Sequence, residues 1–163
     1  MSTRIMELVA LALVVFCVWD GWQQGAAMKV YHIVKYIFRL IVVMIILPIL
    51  LSVIPADMGG RIGITFFVSW IVAVIIVEIV AKILGIADKI AKPDRGQRMI
   101  GAILGAVYGV AVLWFILLLL GSFDDMNGYS AVCDWIRKSP TLMAINKVNP
   151  LVYLMKMYEI PVL

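Results

Sequence analysis

The chain is short of most things a soluble enzyme is built around. Its 163 residues include one histidine, His32, and two cysteines, Cys17 and Cys133, with no CxxC spacing. Neither a disulfide framework nor a metal site can be argued from so few ligands. No Ser/His/Asp set can be assembled around a lone histidine, and no phosphate-loop or metal spacing is present. No catalytic residue, cofactor or metal ligand is therefore assigned, and His32 reads as a surface residue. Charge is scarce as well, at 15% of residues against about 25% in ordinary soluble domains. No polar segment is long enough to form a second domain with its own core.

Apolar length takes the place of chemistry. Hydrophobic residues make up 64% of the chain and the mean hydropathy is +1.07, values that describe an integral membrane protein. From Met99 to Leu120 the chain runs 22 residues without an ionisable side chain, and about 20 span a bilayer core as a helix. Gly101, Gly105 and Gly109 recur every four residues in this stretch, which places them on one helix face. Each costs about 1 kcal/mol of helix propensity relative to Ala, and close approach of a second helix is the usual compensation in lipid. The expected partner is the first span with its trailing Gly21 and Gly25, or a second copy of the chain. Leu113 and Leu117 are expected on the lipid-facing side.

The expected fold is all-α, with four transmembrane helices and a C-terminal amphipathic surface segment. The spans fall at about 5–19, 37–54, 62–84 and 99–120, making a membrane domain of residues 1–121 with an extracytoplasmic tail over 122–163. The first span is short, flanked by Glu7 and Asp20. Gly25-Ala26-Ala27 behind it imitates a signal-peptide cut, but the intervening polar residues and the further spans argue for a retained helix. Residues 20–36 read as a connector with a helix lying on the membrane surface. Arg39 is placed to snorkel to headgroups and Pro48 to kink the second span. The breaker-rich Pro55–Arg61 turn makes the second and third spans an antiparallel hairpin, and Gly85 closes the third. In the tail, Leu142, Ile145, Val148, Val152 and Met155 share one helical face, and Trp135, Tyr153 and Tyr158 suit an interface.

Basic residues set the orientation. Lys29 and Lys35 lie in the first connector, and Lys89, Lys92, Arg95 and Arg98 cluster in the third, whereas the second has only Arg61. Connectors one and three then face the cytoplasm and both termini face outside. The net charge of +4 is thus a topology signal, and no nucleic-acid partner is expected. Glu78 is the sharpest polar feature, because a charge at the bilayer centre costs roughly 2.5–3.5 kcal/mol on insertion scales. Either it pairs with Lys82, one turn on, or it faces a polar crevice used for transport or for gripping a partner.

Taken together, Glu7, Gly21 and Gly25, followed by Arg98-Met99-Ile100-Gly101 with Gly105 and Gly109, resemble the colicin V production protein family. These are small bacterial inner-membrane proteins with four predicted spans. The likeness runs over roughly residues 5 to 145. Two departures stand out: Gln97-Arg98 replaces the common Asp-Arg, and Tyr108 stands where Arg often precedes the third glycine. The resemblance implies a bacterial inner-membrane location with the termini outside. Relatives carry an extracytoplasmic protease domain after the fourth span, so this chain is expected to hold the membrane part alone.

Two function classes follow. One is a non-enzymatic membrane factor that supports toxin or bacteriocin production or export and envelope homeostasis through contacts with other membrane or envelope proteins. The other is a small channel or transporter, assembled as a homo-oligomer because four helices leave little room for a pore. In both, the lipid bilayer is the first partner.

Overall fold

Gly25 is where the long first helix turns back on itself. The computed structural model describes residues 2–55, 60–85, 90, 92–123 and 130–152, and everything below refers to these. Helix α1 spans Ser2–Val53, with non-helical dihedrals at Gly25 (φ 79°, ψ 172°). That region of backbone space is essentially restricted to glycine. Contacts along the partner helix show how sharp the bend is. On residues 2–24, Ala10 packs with Leu113 and Leu117, Val14 meets Gly109, Cys17 meets Gly105 and Gly21 meets Gly101. On residues 26–53 the order reverses: Tyr36 meets Tyr108 and Ala111, and Leu47 meets Leu118. The two arms of α1 therefore run in opposite directions along one partner helix.

That partner is α3, Arg95–Gly121. Asp94 caps it, its carboxylate accepting from Gln97 N–H at 2.7 Å, which satisfies one of the free amides of the first turn. Between α1 and α3 in sequence comes α2, Arg61–Leu84, closed by Gly85 in the left-handed conformation. Arg61 donates to the Leu51 carbonyl while Glu78 reaches back to Lys35 and Arg39, so α2 runs antiparallel to the second arm. Its buried Thr65 and Ser69 donate to carbonyls one turn back, at 2.6 and 2.8 Å. Buried hydroxyls are thus satisfied without a partner helix. An aromatic stack joins the helices at mid-height: Tyr36, Trp70, Phe66 and Phe115 lie with ring centroids 3.8–5.8 Å apart.

Three helices, α1, α2 and α3, are long and apolar enough to cross a membrane, and no strand occurs among the described residues. Their outward faces are largely apolar, from Ile5, Val15 and Trp22 on the first arm to Ile83 on α2 and Met99 on α3. Several expectations are corrected. The stretch 20–36 is not a surface-lying connector. It is helix on both sides of Gly25, and Tyr36 is buried with its hydroxyl donating to the Ala111 carbonyl at 2.8 Å. Leu113 and Leu117 do not face lipid. Both are buried, because the chain after α3 folds back onto them.

That returning chain forms α4, Ser130–Lys138, and α5, Pro140–Lys147. Ile136 and Leu142 bury against Ala10, Leu113 and Leu117, and Leu151 enters the cluster of Leu47, Phe66 and Leu118. Polar groups pin it: Ser139 donates to Glu7 at 2.6 Å and accepts from Leu142 N–H at 3.2 Å. Asn149, fully buried, donates to the Trp114 carbonyl at 3.1 Å and accepts from Leu151 N–H at 3.0 Å. Described residues of the tail are therefore docked on the bundle. Met155, Tyr153, Tyr158 and the side chain of Trp135 lie outside the described residues.

Candidate functional site

The charged side chains converge where the second arm of α1 meets α2. Lys35 and Arg39 are four residues apart and so share a helix face. That face is turned to Glu78, whose carboxylate holds Lys35 Nζ at 2.6 Å and Arg39 Nη2 at 2.5 Å. Hydrogen bonds between two ionised groups are roughly twice as strong as neutral ones. Burial is lopsided, with Lys35 and Arg39 only 13% and 16% exposed and Glu78 51% exposed. The acid therefore faces outward while its two cations are held inside. Lys35 also lies 5.2 Å from the centre of the Tyr31 ring, and His32 packs its ring on Tyr31. Arg39 Nε is buried without a hydrogen-bond partner.

Beside this triad opens a crevice of about 550 Å³ lined by Tyr31, His32, Lys35, Glu78, Ile79 and Lys82 among others. Glu78 and Lys82 both line it, but their expected pairing is replaced. The carboxylate is taken by two cations of the neighbouring arm, and Lys82 has no ion pair among the described residues. Two neighbouring cations from another helix outcompete one at i+4, whose pairing contributes only about 0.3–0.5 kcal/mol. Arg39, expected to snorkel outward, is drawn sideways by the same carboxylate.

A second polar cluster sits at the Gly25 corner. Lys29, 1% exposed, is paired with Asp20 at 2.6 Å, and Gln24 donates to the other Asp20 oxygen at 2.6 Å. Lys29 Nζ also lies 4.9 Å from the centre of the Tyr108 ring. Tyr108, which stands where the resemblance leads one to expect Arg, thus receives a cation from α1. The bend makes this possible: residues 20 and 29 are nine apart, and folding at Gly25 brings them face to face.

The glycine face of α3 lies against the first arm. A Cβ on Gly105 would overlap the Cys17 carbonyl oxygen and lie 3.1 Å from Val18 Cα. One on Gly101 would lie 2.8 Å from Gly25 Cα, and one on Gly21 3.1 Å from Gly105 Cα. At Gly109 the nearest atom is the Cys17 Cβ at 3.0 Å. Gly21, Gly25, Gly101 and Gly105 thus form one seam of backbone-to-backbone contact within the chain. Of the basic cluster, Lys92, Arg95 and Arg98 are exposed near the start of α3, and Lys89 lies outside the described residues.

Sequence reasoning missed the grouping of Lys35 and Arg39 with Glu78, and of Lys29 with Asp20. The available signals were spacings: His32, Lys35 and Arg39 on one helical stripe, and Asp20 and Gln24 one turn apart. Among the described residues no group of three or more His, Cys, Asp or Glu converges as a metal site would require.

Residues 6–150 match the family model described as Colicin V production protein. No curated protein and no solved structure matches the chain.

Proposed function

Because the chain belongs to the Colicin V production protein family, we propose that it is a non-enzymatic factor of the bacterial inner membrane. It supports toxin or bacteriocin production or export, and envelope homeostasis, by contacting other membrane or envelope proteins. The family match over the whole bundle carries this reading. In it the bilayer is crossed four times, by residues 2–24, residues 26–53, α2 and α3. The first arm is about 35 Å long and the second about 42 Å at 1.5 Å per residue, and either exceeds a hydrocarbon core of about 30 Å. The Gly25 corner and the Lys92–Arg98 segment face the cytoplasm under the positive-inside rule, and both termini face outside.

In-cell photocrosslinking from outward-facing positions such as Ile103 and Phe67, with identification of the captured proteins, tests the contact role. Capture of toxin-export or envelope components supports it, and lipid adducts alone at every position count against it.

The second reading, a small oligomeric channel or transporter, is favoured by one observation. The crevice beside Glu78 brings ionisable groups to a helix surface that is otherwise apolar, and such groups mark ion or substrate routes in membranes. Protein reconstituted in liposomes would then pass ions or solutes, and Glu78→Gln would abolish the flux. Absence of any flux removes this reading.

A further inference from the structure

We propose that the crevice between residues 26–53 and α2 holds the phosphate group of an anionic phospholipid. The inference goes beyond the function proposed above and rests only on its placement of these helices in a bilayer.

The charge count comes first. Among the described residues, Lys35 and Arg39 share the Glu78 carboxylate and Lys82 lines the same crevice, three cations against one acid. Both Glu78 oxygens are already engaged, by Lys35 and by Lys35 with Arg39, so the acid has little left to offer Lys82. Lys82 has no ion pair among the described residues. His32 adds a ring nitrogen at the crevice wall. Lys82 and the His32 ring, beside Lys35, line an open space of about 550 Å³, a setting that suits an anion. Lys35 is already fixed by Glu78 and by the Tyr31 ring, so little ordering entropy remains to be lost when an anion arrives.

The rim identifies the source of the phosphate. Ile79 is part of the crevice wall, and Val34, Phe38 and Ile83 are exposed on the same two helices, Ile83 to 79%. A free phosphate ion leaves those side chains uncovered. A phospholipid places its headgroup among the cations and lays its acyl chains along the apolar flank. Basic pockets between transmembrane helices on the cytoplasmic side bind anionic headgroups in this way, and the crevice lies toward the basic end of the bundle, next to Gly85.

The test uses the full-length protein in nanodiscs containing phosphatidylglycerol and phosphatidylcholine in equal amounts, with retained lipid read by native mass spectrometry. Phosphatidylglycerol should be retained in preference to phosphatidylcholine. Lys82→Gln, a change at an exposed position, should lower that preference about five-fold, the worth of one cation near a membrane surface. Arg98→Gln removes the same charge from outside the crevice and should leave the preference unchanged. Inorganic phosphate added to the wild-type protein should not displace the lipid. An unaltered preference in Lys82→Gln overturns the proposal, as does an equal loss in Arg98→Gln, which marks diffuse surface attraction. Displacement of the lipid by inorganic phosphate overturns the lipid as the source.

Discussion

Replacing Gly105 by Ala adds a single methyl group at the tightest seam in the fold, and its effect can be worked out from the neighbours. Alanine gains about 1 kcal/mol of helix propensity over glycine. Against that stands overpacking, typically 1–3 kcal/mol. The atoms a Cβ would meet at Gly105 are the Cys17 carbonyl oxygen and carbon and Val18 Cα. All belong to the main chain and have no rotamer into which to retreat, which puts the cost at the upper end. Relief requires the first arm and α3 to part by about 1 Å, and such a gap forfeits up to half of each contact's dispersion energy along the seam. The net loss is about 2 kcal/mol, roughly 30-fold in the folded-to-unfolded ratio. At Gly109 the first obstacle is the Cys17 Cβ at 3.0 Å, followed by Val14 Cα at 3.2 Å. A shift of a few tenths of an ångström suffices there, and the propensity gain cancels the strain. Ile103→Ala, on the lipid face at 67% exposure, is the control. Reversible unfolding in mixed micelles, followed by tryptophan fluorescence, should rank Gly105→Ala well below the other two, which should lie near wild type. Equal stability of Gly105→Ala and Gly109→Ala would show that the seam at Gly105 is no tighter than at Gly109.

Three further outcomes follow from the same contacts. Gly25→Ala places a side chain in a glycine-only region, at about 1–3 kcal/mol, and also drives its Cβ onto the Pro93 ring. Gly85→Ala, left-handed but with nothing within 4 Å, should cost only about 1–2 kcal/mol, and the same unfolding assay separates the two. Asp20→Asn strands Lys29, which is 1% exposed, and should cost about 3–5 kcal/mol. The double change Asp20→Asn with Lys29→Met should regain most of that loss, and a double variant no better than the single would show that the pair is not coupled. Asn149→Ala removes the acceptor of Leu151 N–H and the donor to the Trp114 carbonyl. At about 1–3 kcal/mol for a buried group left unpaired, it should release the tail to limited proteolysis while the bundle stays resistant.

The parts of this fold that were legible are those set by local pattern. An uncharged 22-residue run announces α3, and Gly85 marks the end of α2 because a left-handed cap favours glycine. The i, i+4 glycine repeat marks one face of α3, but which helix covers that face depends on where α1 turns. The turn itself was hidden. Asp20, Gln24, Lys29 and Lys35 read as a polar connector, whereas the helix absorbs them by folding at one residue and pairing Asp20 with Lys29 across the bend. The partner of Glu78 was illegible for a related reason. Spacing along one helix points to Lys82, and only tertiary packing brings Lys35 and Arg39 to the carboxylate. In the tail, nothing in the sequence pattern marks Ser139 and Asn149 as buried. Their side chains bind Glu7 and the Trp114 carbonyl, and the segment between them buries Leu142.

A four-crossing topology requires Gly25 to be a turn between two crossings and not a bend within one. Topology reporters fused after residues 27, 57, 91 and 128 test this directly. With four crossings and the basic connectors inside, fusions after residues 27 and 91 report the cytoplasm, and those after residues 57 and 128 report the outer side. If the fusions after residues 27 and 57 report the same side, or the one after residue 128 reports the cytoplasm, the chain does not cross at both arms of α1 and the account is contradicted.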